Sequence, residues 1–64
     1  MTPSLDDKIA CLTRELRLRR RVYPNRVADG RMSAAEAERE LLVMQAILSD
    51  LLDQQPDLLQ ASRR

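Results

Sequence analysis

Apolar side chains recur early in the chain as Leu5, Ile9, Leu12 and Leu16, at steps of four, three and four residues. This rhythm lines one face of an α-helix and matches the seam of packed helix pairs. Tyr23 continues the same stripe, and a thinner second stripe runs through Cys11, Leu18 and Val22. Ser4 followed three residues later by Asp7 has the outline of a capping box, which places the helix start near Leu5. Pro24 disfavours helical geometry at Tyr23, so the pattern predicts that this helix ends or bends near Val22. Between Pro24 and Asp29 there is room for a single helical turn. Gly30, the only glycine, suits a left-handed position closing it.

The run Ser33-Ala34-Ala35-Glu36 is a full Ser-x-x-Glu capping box, and it sets the start of a second helix. From there Ala34, Ala37, Leu41, Met44, Leu48 and Leu51 form an unbroken seam at alternating steps of three and four. Met32, just before the cap, is expected to pack onto this helix as a hydrophobic staple. Pro56 is expected to stop or kink the helix near Gln54, with Leu58 and Leu59 forming a short terminal turn. The pattern therefore predicts one all-α domain over residues 1–64: helix one over about 5–22, a turn over 23–32, helix two over about 33–54, and a short C-terminal tail. Two helices joined this closely fold back as an antiparallel hairpin.

Helix two is more apolar than a hairpin needs. Over Leu41 to Leu48, Leu42 and Ala46 point away from the seam while Val43 and Ile47 point to a third side. A core in a chain this short rarely supplies more than about 3–5 kcal/mol, and a lone helix pair buries one stripe per helix. Such a helix requires neighbours on several faces. The economical expectation is a homodimer forming a four-helix bundle, and the other is burial against a different protein.

Composition narrows the chemistry. The 64 residues include no His, one Cys, one Tyr and neither Phe nor Trp. Without His and with a single thiol, neither a zinc finger nor an intrachain disulfide framework can form. Ser4, Ser33, Ser49 and Ser62 have no His to activate them, Cys11 has no evident base, and there is no Gly-rich phosphate loop. The expectation is a protein without catalytic residues, metal, cofactor or small-molecule substrate. Glu36 and Glu40 lie one turn apart, but carboxylates near a helix N-terminus serve first to offset its dipole. No stretch approaches the roughly 18 apolar residues of a membrane span, and the first residues lack the features of a signal peptide. A cytoplasmic location without membrane association is expected, with Cys11 serving as a small apolar side chain.

The net charge of +1 conceals a segregation: residues 14–31 carry a net +5 and residues 32–57 a net −5. Arg14, Arg17 and Arg21 fall on the helix face opposite the Leu5–Leu16 stripe, while Arg19 and Arg20 flank that stripe. Such a ridge can grip phosphates. In an antiparallel hairpin it also lies beside Glu36, Glu38 and Glu40, which can complement it internally, and no aromatic residues stand ready to stack bases. Candidate partner-binding residues are Arg14, Arg17, Arg21, Tyr23, Leu42 and Ala46. Tyr23 has a competing role in closing the end of the hairpin. The seam comprises Leu5, Ile9, Leu12 and Leu16 with Leu41, Met44, Leu48 and Leu51, and Met44 is expected to be core.

Arg19-Arg20-Arg21-Val22-Tyr23-Pro24, then Val27, then Gly30-Arg31-Met32-Ser33, then Ala37, Glu40, Met44, Ala46 and Ile47 together resemble a group of small phage and prophage proteins with no agreed activity. The resemblance spans roughly residues 8–50 and implies a phage or prophage context, hence the host cytoplasm, and carries no catalytic residue across. Proteins of that build commonly bind another protein, such as a host regulator or a defence complex. A likeness of architecture alone, with no shared motif, links the hairpin to plasmid copy-number regulators of the Rop type, which dimerise into four-helix bundles and bind RNA. Nucleic-acid binding through the arginine ridge is the alternative function.

Overall fold

A computed structural model describes residues 2–55 and shows two α-helices packed against each other as a hairpin. Helix α1 spans Leu5–Ala28 and helix α2 spans Ala34–Asp53. Both begin with complete capping boxes. The Ser4 hydroxyl accepts from the Asp7 N–H at 3.0 Å while the Ser4 N–H donates to the Asp7 carboxylate at 3.1 Å. Ser33 and Glu36 repeat the exchange at 3.0 and 3.3 Å. Each box satisfies two backbone groups that a helix end leaves without partners. Because the Ser33 hydroxyl holds one of them, Ser33→Ala will lower stability by about 0.5–2 kcal/mol in urea unfolding.

Helix α1 does not end near Val22. It runs on through Pro24 for more than a turn, absorbing the segment expected as a separate turn and reducing the connection to Asp29–Ser33. Proline at position 24 removes the N–H that would donate to the Arg20 carbonyl. Arg20 and Pro24 lie on one side of the helix and both are exposed, so water can take up that carbonyl and its loss is tolerable. Beyond the proline the helix is held in place from both ends. Tyr23 is buried and Val27 half-buried on the seam side, and the terminus is closed by a Schellman motif. The Gly30 N–H donates to the Val27 carbonyl at 3.1 Å and the Arg31 N–H to the Arg26 carbonyl at 3.0 Å.

Gly30 adopts φ +75°, as its position after the C-cap Asp29 requires. Nothing lies within 4 Å of where a Cβ would stand, so any penalty for a side chain here is backbone strain alone. Gly30→Ala will cost about 1 kcal/mol and Gly30→Val more. Equal melting temperatures for the two variants and the parent would contradict a left-handed requirement. Helix α2 ends at C-cap Gln54. Pro56 and the turn expected at Leu58 and Leu59 lie outside the described residues.

At the open end the Gln55 side-chain amide approaches the Asp6 carboxylate at 3.5 Å, bringing the end of α2 to the start of α1. Between the two ends the seam residues meet. Leu16, Tyr23 and Ala37 are buried, and Leu5, Ile9, Leu12, Leu41, Met44, Leu48 and Leu51 are half-buried. Ala34 is exposed, so the seam on α2 starts at Ala37. The molecule is 14 Å deep along its thinnest axis, a single layer of helices with no second layer to cover its faces.

Candidate interaction surface

Among the described residues five large apolar side chains are exposed: Leu18, Leu42, Val43, Ile47 and Leu52, between 43% and 59%. Against them stand only three buried residues in the described chain. The imbalance is concentrated on α2, where the seam uses one stripe and leaves the other apolar positions uncovered. Leu42 and Ala46 lie one turn apart on the side away from α1, in a shallow groove shared with Ala35, Glu38, Arg39 and Val43. Both are exposed, at the positions expected to be available to a partner.

Tyr23, counted by sequence among the partner-binding candidates, is withdrawn from that set. Its ring is 4% exposed and lies between two arginines. The Arg19 Nη1 donates to its hydroxyl at 3.2 Å, and the Arg26 guanidinium carbon lies 5.8 Å from the ring centroid, within reach of a cation–π attraction. A phenol ring at the hairpin's closed end buries its carbons between the helices, and its hydroxyl reaches a donor one turn back, so nothing of it is left for a partner. Arg19 was not singled out in the sequence beyond flanking the seam. The signal was the Arg19–Tyr23 spacing of four, which stacks the two side chains on one helix face. The Tyr23 hydrogen bond, followed by the charge of Tyr23 itself, pushes the Arg19 pKa above its ordinary value; burial opposes the shift, and Glu15 and Glu40 add smaller contributions. The Arg19 Nε is buried without a hydrogen-bond partner.

Arg14, Arg17 and Arg21 are exposed on α1. The internal complementation by Glu36, Glu38 and Glu40 does not take the form of ion pairs. Among the described residues the one salt bridge is Arg31–Asp29 at 3.0 Å within the turn, both side chains more than half exposed and the pair worth little. Glu36 is engaged with the Ser33 backbone, which gives its carboxylate a structural task at the helix N-terminus. Glu40 instead lies close enough to Arg19 to be felt electrostatically.

Among the described residues no group of His, Cys, Asp and Glu is placed to hold a metal ion, and no helix is long and apolar enough to cross a membrane. The chain matches no protein-family model, no curated protein and no solved structure. The surface itself therefore carries the functional argument. It offers an uncovered apolar band on α2, an outward arginine ridge on α1, and Cys11 exposed between the ridge and the seam.

Proposed function

We propose that this chain is a non-enzymatic protein-interaction module that acts as a homodimer and presents its remaining surface to a second protein. The observation that carries this reading is the excess of exposed over buried large apolar side chains on a single-layer hairpin. Exposed apolar area on this scale relative to the core is the mark of a surface that another protein covers. The resemblance to small phage and prophage proteins makes a host regulator or a defence complex in the host cytoplasm the natural partner. Leu42 and Ala46 supply an apolar contact, and Arg14, Arg17 and Arg21 are suited to paired hydrogen bonds with carboxylates on the target.

The exposed ridge, free of ion pairs among the described residues, supports a second reading in which a dimer binds RNA or DNA. Salt dependence separates the two. Replacing Arg14, Arg17 and Arg21 together with Gln keeps helix propensity and removes three charges. On the nucleic-acid reading, the triple variant loses affinity and its log–log salt slope becomes shallower by up to about 3 for duplex DNA. On the protein-binding reading, the parent chain has negligible affinity for duplex or hairpin probes at about 150 mM salt. Sub-micromolar binding in fluorescence anisotropy at that salt, abolished in the triple variant, would replace the first reading with the second.

A further inference from the structure

The secondary apolar stripes of the two helices lie on the same side of the hairpin. On α1 this stripe is Cys11, Leu18 and Val22. Glu15, Leu18, Arg19 and Val22 border one surface depression, and Cys11, Glu15 and Arg19 border another together with Met44 of α2. The side of α1 bearing Leu18 and Val22 is therefore the side toward which Met44 opens. On α2, Ile47 lies one turn beyond Met44 and Val43, and one turn before that stands Glu40, whose charge reaches Arg19. Leu18, Val22, Val43 and Ile47 thus form one apolar face spanning both helices. It adjoins the outer Leu42–Ala46 edge of α2, whose groove Val43 also lines.

We propose that a second copy of this chain covers this face, each copy laying α1 on α2 of the other so that both turns stand at the same end of a four-helix bundle. The inference rests on the interaction-module reading above and supplies its dimer with a face and an orientation. Two-fold symmetry offers two ways of stacking such layers. In one, α1 crosses α2 of the other copy and the turns coincide. In the other, α1 lies on α1 and the turns stand at opposite ends.

The charges rimming the face decide between them. Along α1 it is bordered by Lys8, Arg14, Glu15, Arg19, Arg21 and Arg26, and along α2 by Glu36, Arg39, Glu40 and Asp50. Placing α1 on α2 sets a rim with five cations and one carboxylate against a rim with three carboxylates and one cation. Placing α1 on α1 sets the region of Lys8 against that of Arg26 and, on the other side, Glu40 against Asp50. Like charges facing one another across a contact are unfavourable. One effect opposes this choice. The turn half of the hairpin, residues 14–46, carries a net +3 and the open end, residues 2–13 and 47–55, a net −3, which favours turns at opposite ends. That +3 equals the charge of Arg14, Arg17 and Arg21, which point away from the seam; Arg14 and Arg21 flank Leu18 at spacings of four and three on the outer border of the shared face, so with α1 on α2 they stand along the acidic α2 of the other copy. Screening over about 8 Å at physiological salt favours charges in contact across the rims over the net charges of the two ends. The rim charges therefore prevail.

Sedimentation equilibrium of the parent chain and of the double variant Val43→Glu, Ile47→Glu tests the face. The expected result is a micromolar dimer in the parent and at least a 100-fold weaker association in the variant, with Leu42→Glu retaining the dimer. Both substituted positions are exposed in the hairpin, and circular dichroism at high concentration checks that the variant keeps its helices. A dimer equally strong in the double variant would overturn the face. Orientation is read separately by dipolar spectroscopy on spin labels at Ala28→Cys in a Cys11→Ser background. Coincident turns give a distance of about 30 Å or less, and opposite turns about 40 Å or more. The longer distance in an intact dimer would overturn the orientation alone. A helical monomer at 100-fold above micromolar concentration would overturn self-pairing, while loss of partner binding in Leu42→Glu would still uphold the interaction module.

Discussion

Tyr23→Ala will leave the chain largely unfolded at 25 °C. Among the described residues the ring is one of two large side chains buried to 4% exposure, the other being Leu16. Truncating a buried aromatic residue to alanine costs about 3–5 kcal/mol, comparable to the whole of what a core this small supplies. The loss falls toward the closed end of the hairpin, where the ring's charged neighbours Arg19 and Arg26 are poor substitutes for the lost apolar packing. Far-UV circular dichroism with urea titration measures the effect. Tyr23→Phe provides the contrast, because it keeps the ring and removes only the hydroxyl that accepts from Arg19 at 3.2 Å. That variant will stay folded and lose about 0.5–1.5 kcal/mol. A Tyr23→Ala chain within 1 kcal/mol of the parent in that titration would contradict the placement of the ring in the core.

Pro24→Ala will have the largest effect in the stabilising direction. Proline within a helix costs about 3 kcal/mol relative to alanine, because it lacks the N–H and crowds the carbonyl four residues back. Here that carbonyl is Arg20, and alanine at position 24 restores its donor. Part of the gain is offset because proline also restricts the unfolded chain, an effect of about 0.4–1 kcal/mol. The net expectation is about 2 kcal/mol and a rise in melting temperature of roughly 10 °C. A lower melting temperature would mean that the proline-induced geometry is needed to bring the Asp29–Ser33 turn and Ala37 into place. The contrast between the two substitutions is informative because adjacent residues on one helix give opposite signs. Tyr23 faces α2, whereas Pro24 faces solvent.

Several features follow from local sequence alone. Both capping boxes, the positive φ at Gly30 and the four-and-three spacing of the seams are properties of neighbouring residues, and each appears at its expected position except that exposed Ala34 falls outside the seam. The hairpin follows from them, since two stripes joined by a short connection have only each other to cover. Its two-helix architecture was legible for that reason. The extent of α1 was not. A proline signals a lost hydrogen bond, but whether the helix breaks depends on which side that carbonyl faces and on what holds the next turn. Exposure of Arg20 and burial of Tyr23 settle this, and both depend on α2.

The candidate surface divides in the same way. Helical periodicity placed Leu42 and Ala46 away from the seam and Arg14, Arg17 and Arg21 opposite it, because each assignment involves one helix and its own axis. The role of Tyr23 required both helices, since the same ring can close a hairpin or anchor a partner until the space beside it is known. The sequence shows a second stripe on each helix, Cys11, Leu18 and Val22 on one and Val43 with Ile47 on the other, but their joining into one face is tertiary. It depends on the sense in which each stripe turns around its axis once the helices run antiparallel. Hydrophobic spacing determined which residues line each helix face, and only the packing of α1 on α2 decided which of those faces lie side by side, because periodicity describes rotation about one axis and a shared surface requires two.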